Sequence, residues 1–324
     1  MPITTRRPMK LPLRRLAAAL LCTSAAAAHA VDRADGDDGP AGVLESTRES
    51  VRAASEWVAR GVYCWFGVRR FYDGGMVTNG RLELRSSWRR DDGFDFALRF
   101  SARFELPNLR ERAYVFIGRD NEREVVTDKP DAFSRQEQLL RESRRDDQSF
   151  FAGLGLPVGD DVEFRVGVRR GYRLYTQARY TKAWPLSERD RVVFRETLYW
   201  TLIDGFGSTT AVSAERVLAP NLELRWLTSG TFAQKTDGLA WSSSVGLYKA
   251  FARDRLLSGE MLVNGETGRD VGVADYGLRA RWLQPVYQDW LLGEFIVGHF
   301  WPRESAATSR ERTWAFGLGV QMRF

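Results

Sequence analysis

Arginine recurs at alternate positions in stretches whose intervening residues are apolar. Arg85, Arg99, Arg103, Arg165, Arg173, Arg195, Arg279 and Arg281 are the main candidates, and Arg81, Arg169, Arg179 and Arg225 fall in the same pattern. A guanidinium offers a planar fork of donors that matches carboxylate and phosphate. Several on one face of a sheet would line a path that favours anions. The same positions also carry Glu83, Asp95, Glu105, Glu163, Glu223 and Asp275. Interleaved Arg and Glu would equally close into a network of ion pairs that fills an interior. The residue pattern leaves both readings open.

Catalytic chemistry finds little to work with. Past residue 30 the chain keeps one histidine, His299, and one cysteine, Cys64. A hydrolase of the Ser–His type needs a base within reach of its nucleophile. His299 sits in Val297-Gly298-His299-Phe300-Trp301, with no serine two residues away. It reads as an inward belt or lumen histidine rather than a base. Asp and Glu are plentiful, but no spacing fixes an acid–base pair. One His and one Cys cannot supply a usual zinc site, and no Gly-rich phosphate loop opens a helix. The expectation is therefore no catalytic residues, no metal and no cofactor, with a lipid-modifying enzyme the weakest of the readings.

The elements that must position these arginines follow a period of two. In residues 94–106, Phe94, Phe96, Leu98, Phe100, Ala102, Phe104 and Leu106 alternate with charged and small residues, which is strand spacing and not helix spacing. The last twelve residues repeat it. Trp314, Phe316, Leu318, Val320, Met322 and Phe324 share one face, expected to meet lipid, and Thr313, Ala315, Gly317, Gly319, Gln321 and Arg323 share the other. A strand that is greasy outside and small or polar inside suits a wall between lipid and a wet lumen.

Pro-containing segments at 106–108, 156–159, 184–186, 219–221 and 284–286, with 252–255, read as short turns on one side. The opposite connections are expected at 91–93, 119–148, 170–171, 204–208, 228–237, 264–270 and 303–311. That makes seven hairpins, or fourteen strands; the weak strand near 209–217 keeps twelve open. The charged stretch 119–148 reads as a solvated loop, with a constriction folded into the lumen or a contact for lipopolysaccharide phosphates as sharper alternatives.

Arg6, Arg7, Lys10, Arg14 and Arg15 precede an apolar run, 16–28, and the small-x-small site Ala28-His29-Ala30. This is the pattern of a secretory signal peptide. Leu21 before Cys22 is too large for a lipobox. Five of the 48 basic residues lie in that leader, so the remainder nearly balances the 42 acidic ones and the formal net charge of +6 is mostly the leader's. Nucleic acid is not an expected partner. One amphipathic helix is expected at 41–62, with Leu44, Val51, Ala54, Val58 and Val62 near one face. Tyr63, Trp65, Phe66 and Phe71 follow as an aromatic cluster suited to a membrane interface. The expected organisation is a signal peptide at 1–30, an acidic segment plus helix on the periplasmic side at 31–77, and a transmembrane β-barrel at 78–324.

From about residue 78 onward the chain resembles Gram-negative outer-membrane β-barrel proteins, in its alternating strands, its leader and its terminal aromatic. Within that class it is similar to uncharacterised proteobacterial outer-membrane proteins. It departs from the large trimeric porins in length, and from the barrel lipases and deacylases in lacking their Ser–His signature. The resemblance implies an all-β, antiparallel up-and-down barrel of 12–14 strands with one N-terminal helix. It also implies contact with outer-membrane lipid and lipopolysaccharide, and with the barrel-assembly machinery during biogenesis. The helix at 41–62 would be free to dock a periplasmic partner. The expected function is a passive pore for small anionic solutes. A closed structural or partner-binding barrel, serving envelope organisation or assembly, is the alternative.

Overall fold

The computed structural model describes residues 40–65, 77–105, 113–130, 133, 148–171, 173–235, 238–251, 255–303 and 305–324. The leader, Phe66 and Phe71 lie outside them. The helix expected at 41–62 spans Pro40–Trp65 (α1), so Tyr63, Cys64 and Trp65 belong to it rather than following it. Arg48–Glu45 and Arg52–Glu56 pair along its exposed side at 3.3 and 3.4 Å. No described helix is long and apolar enough to cross a membrane.

Among the described residues fourteen strands form one closed antiparallel barrel, each paired with its neighbours in sequence and β1 with β14. They are β1 (Val77–Arg89), β2 (Gly93–Glu105), β3 (Tyr114–Asn121), β4 (Gln148–Val158), β5 (Val162–Arg169), β6 (Arg173–Pro185), β7 (Asp190–Thr201), β8 (Gly205–Ala219), β9 (Leu222–Ala233), β10 (Ala240–Phe251), β11 (Arg255–Glu266), β12 (Asp275–Tyr287), β13 (Leu291–Phe300) and β14 (Thr313–Arg323). The barrel expected from residue 78 thus begins at Val77. The segment doubted at 209–217 lies inside β8, which runs for 15 residues. Fourteen strands is the answer, and twelve is excluded.

Several boundaries move. Of the turn expected at 156–159 only Gly159, at φ +66°, lies in the turn, and Leu156, Pro157 and Val158 stay in β4. Pro285 likewise stays inside β12, at an irregularity in the β12–β13 register. Proline is tolerated where a ladder is already interrupted. The connection expected at 228–237 shortens, because β9 continues to Ala233. Its Thr228, Ser229, Gly230 and Thr231 carry no apolar signature, yet they pair with β8 and β10 as any strand does.

Alternation sorts the side chains. Leu84, Trp88, Phe94, Phe96, Phe164, Val166, Leu198, Phe206, Val245, Met261, Leu278, Phe295, Trp314, Phe316, Leu318 and Val320 are exposed, Phe94 and Phe206 each by 68 %. Apolar exposure on this scale needs lipid to cover it. Glu196 departs from the rule. Its register places it outward and mid-strand, where its carboxylate accepts hydrogen bonds from the hydroxyls of Ser208 and Thr210.

The terminal residue closes the seam. Phe324 N–H donates to Gly80 carbonyl oxygen at 3.0 Å, and Gly80 N–H returns the bond at 3.1 Å. The Phe324 ring lies over Gly80 and stacks with Phe100, 6.2 Å between centroids. A Cβ on Gly80 would fall inside that ring. Met322 faces outward by register but is buried.

Replacing Gly80 by Val should cost about 1–3 kcal/mol through overpacking at the seam. It should lower the fraction of protein showing the heat-modifiable gel shift of a folded barrel. Gly259→Val, at an outward position with open space around it, should fold like wild type. Equal folding of the two variants would refute the role given to the Phe324–Gly80 contact.

Candidate functional site in the barrel lumen

The lumen is built of two unlike walls. On β1 and β11–β14 the inward charges are matched. Arg85 pairs with Glu83 at 2.7 Å and with Glu294, and Glu294 also accepts from Arg281. Arg279 pairs with Glu260, and Ser258 Oγ donates to the same carboxylate at 3.2 Å. Arg89 holds Asp275 at 3.1 Å and Asp91 at 2.7 Å, with its guanidinium 5.1 Å from the centroid of Phe300. Phe300 packs with Leu262, Ile296 and Ala315 into an apolar cluster on this inner face. Gly319 makes room: a Cβ there would come 3.1 Å from Glu294 Oε2. This wall is therefore the ion-pair network, and Arg85, Arg279 and Arg281 belong to it.

The other wall runs from β2 to β7 and is crossed by the start of the long connection. After β3, Asn121 caps a short helix, Glu122–Thr127 (α2), its side chain accepting from the N–H groups of Arg123 and Glu124 at 3.0 and 3.3 Å. Asp128 ends the helix in the left-handed region, φ +53°, which an Asp side chain tolerates. That turn drives Asp128 into the lumen. Arg179 grips its carboxylate in a two-point contact, Nε at 2.6 Å from Oδ2. Thr197 Oγ1 donates to Oδ2 at 2.8 Å, and Arg195 donates to the Asp128 carbonyl at 2.9 Å. Gln177 donates to the carbonyl of Val125 at 2.8 Å and to that of Val126. Val126 is buried with Tyr175, Tyr199 and Ala233, and Phe133 is fully buried. Residues 122–130 and 133 are thus an inward constriction, not a solvated loop; 134–147 lie outside the described residues.

Arg99, on β2, pairs with Asp120 at 3.1 Å and Glu124 at 3.7 Å. Arg103 stacks on Tyr114, 3.5 Å from the ring centroid. Arg165 donates to Tyr114 Oη at 2.9 Å and pairs with Glu163 at 3.0 Å. Arg173 is exposed at the start of β6, beside Arg169 in register. Arg195 joins the Asp128 cluster. The inward rows of β5–β7 hold Arg165, Arg169, Arg173, Arg179, Arg191 and Arg195 against Glu163 alone, among the described residues. These rows carry more arginine than acid, and carboxylates from outside them, Asp128 and Glu215 of β8, pair with Arg179 and Arg191.

His299 corrects the sequence reading. It faces outward, paired in register with Trp314 and packed against Trp314 and Trp301 at 4.4 and 4.5 Å between ring centroids. With Tyr276 and Phe316 they form an aromatic girdle patch, and no lumen chemistry passes through it. The residues missed from sequence are Arg89, Arg191, Glu260, Glu294, Tyr114, Gln177 and, above all, Asp128. Glu260 and Glu294 carry the signal that marked Glu83, alternation with apolar neighbours. Asp128 carries none, being one acid among many in a charged connection.

A closed barrel with an apolar outside and a charged lumen, partly filled by an infolded loop, is the architecture of outer-membrane β-barrel proteins. No protein-family model matches this chain, and no curated protein matches it. Solved structures resemble it at low identity. The outer membrane channel DcaP of Acinetobacter baumannii is 8% identical, covering 79% of this chain and 99% of that one, with TM-score 0.48. OprB of Pseudomonas putida, in its high-pH structure, is 11% identical over 80% and 97%, TM-score 0.48. A KdgM porin is 9% identical over 75% and 99%, TM-score 0.38.

Asp128→Ala should release the constriction. A loss of about 1.4 kcal/mol at this latch raises its open population roughly tenfold. Chymotrypsin should then cut after Phe133 about tenfold faster in the folded, detergent-solubilised protein, while the strands stay protected. Unchanged cleavage would show that Asp128 does not hold the segment.

Proposed function

We propose that this protein is a narrow passive pore of the Gram-negative outer membrane that favours small anionic solutes. The observation that carries the reading is the one-sided excess of arginine on the inward face of β5–β7. Fixed positive charge along a water-filled path lowers the entry cost of anions and raises that of cations. The matched wall opposite is rigid filler that narrows the lumen, and α2 with Asp128 narrows it further. No catalytic step is assigned to the site.

A second reading has its own support. The inward segment and the paired arginines on β1 and β11–β14 would also suit a closed barrel with a structural or partner-binding role. In that case α1 would be the part that docks a periplasmic partner, and lipid, lipopolysaccharide and the assembly machinery would be the remaining contacts.

Planar-bilayer recording under a salt gradient separates the two. Stable conductance steps with an anion-biased reversal potential are expected. Arg173→Glu, at the lumen mouth, should move that potential toward cations while leaving the folded gel shift intact. A silent bilayer with correctly folded protein would favour the closed barrel. Cation-biased steps would overturn the anionic reading while keeping the pore.

A further inference from the structure

The infolded segment lines one side of a cavity of about 340 Å³, at the lower end of the ~300–1,000 Å³ range of small-molecule sites. Its lining combines two chemistries. Arg81, Arg99, Arg103, Arg165 and Lys129 bring positive charge, against the carboxylates of Asp120, Glu124 and Asp128. Tyr114, Phe116, Phe151 and Tyr175 bring flat apolar faces. Phe116 stands 6.2 Å from Phe151 and 6.1 Å from Tyr114, centroid to centroid. The Arg165 guanidinium sits 5.8 Å from the Phe116 centroid. A general ion path needs charge and water; it has no use for a continuous aromatic face.

Tyr175 supplies the independent observation. Its side chain is fully buried, and its hydroxyl has no hydrogen-bond partner among the described residues. A buried, unpaired hydroxyl costs roughly 1–3 kcal/mol. The position is built for it all the same: Gly167 lies under the ring, and a Cβ there would come 2.7 Å from Tyr175 Oη. The register sets Tyr175 diagonal to Arg165, since Gly167 pairs with Tyr175 and Arg165 with Gln177. The Arg165 guanidinium has five N–H donors, and its contacts to Tyr114 and Glu163 use its Nε and Nη2.

We propose that this cavity is a binding site for small aromatic carboxylates. The carboxylate accepts from Arg165 and from the Tyr175 hydroxyl, and the ring lies against Phe116 and Phe151. The site deepens the pore reading, because it gives the anion path a preferred passenger, and it rests on that reading for access from outside.

The test is equilibrium binding of benzoate to the folded, detergent-solubilised protein by titration calorimetry, run beside bilayer recording. Benzoate should bind saturably, whereas acetate and benzyl alcohol, which keep only the charge or only the ring, should bind at least about tenfold more weakly. Tyr175→Phe, which keeps ring and packing, should weaken benzoate about tenfold, as loss of a hydrogen bond to a charged group does. Arg165→Gln should weaken it by at least as much, and the heat-modifiable gel shift confirms that each variant folds. Acetate binding as tightly as benzoate, or Tyr175→Phe binding unchanged, would overturn the site. Anion-selective conductance without saturable benzoate binding sinks the site and leaves the pore. Binding in a protein whose bilayers stay silent sinks the pore and leaves the site.

Discussion

In hydrocarbon, every backbone N–H and C=O must find its partner within the protein. An open sheet edge costs several kcal/mol per unpaired group there. Closure of β1 on β14 meets that demand, and the remaining features follow from it. The seam is fastened at its end by the mutual hydrogen bonds of Gly80 and Phe324 and by the Phe324 ring on Phe100. Each strand therefore has a lipid side and a lumen side, and each side chain is committed by parity.

Parity forces charge inward. The strands carry many arginines, and lipid-facing charge is costly, so most of them point into a confined lumen. Where carboxylates stand in register the outcome is neutralisation, as with Glu83, Glu260 and Glu294. On β5–β7 arginine outnumbers the acids in register, Glu163 and, across on β8, Glu215, and a further carboxylate comes from elsewhere in the chain. Asp128 supplies it, held by Arg179 and Thr197. The constriction is thus the electrostatic complement of the wall it leans on. Arginine still outnumbers the acids on the inward rows of β5–β7, so the same feature narrows the lumen while the wall keeps its basic character.

The barrel was legible because its signal is a period of two repeated along the chain. The run of strands and the outward face of β14 came from that alternation, while the turn spacing left twelve or fourteen strands and the closed barrel settles fourteen. Boundaries were less legible where local chemistry misleads. Pro157 and Pro285 look like turns but sit in strands, and the polar run at 228–231 looks like a loop but pairs on both edges. His299 was misplaced because its parity, read through Phe300 and Trp301, is ambiguous when aromatic residues occupy both faces. Phe300 fills the lumen while Trp301 joins the girdle.

By itself the sequence determined which residues alternate, and so the existence of a barrel, its lipid face and the set of arginines that must point inward. Alternation is local, and a two-residue period needs no knowledge of the partner strand. Only the tertiary structure decided which arginines are neutralised, because pairs such as Arg85–Glu294 join residues 209 positions apart. It also decided that 122–130 fold inward and that Tyr175 is left with an unanswered hydroxyl beside an aromatic and cationic cavity. Those outcomes depend on which walls face each other across the lumen, and that relation exists only once the ring has closed.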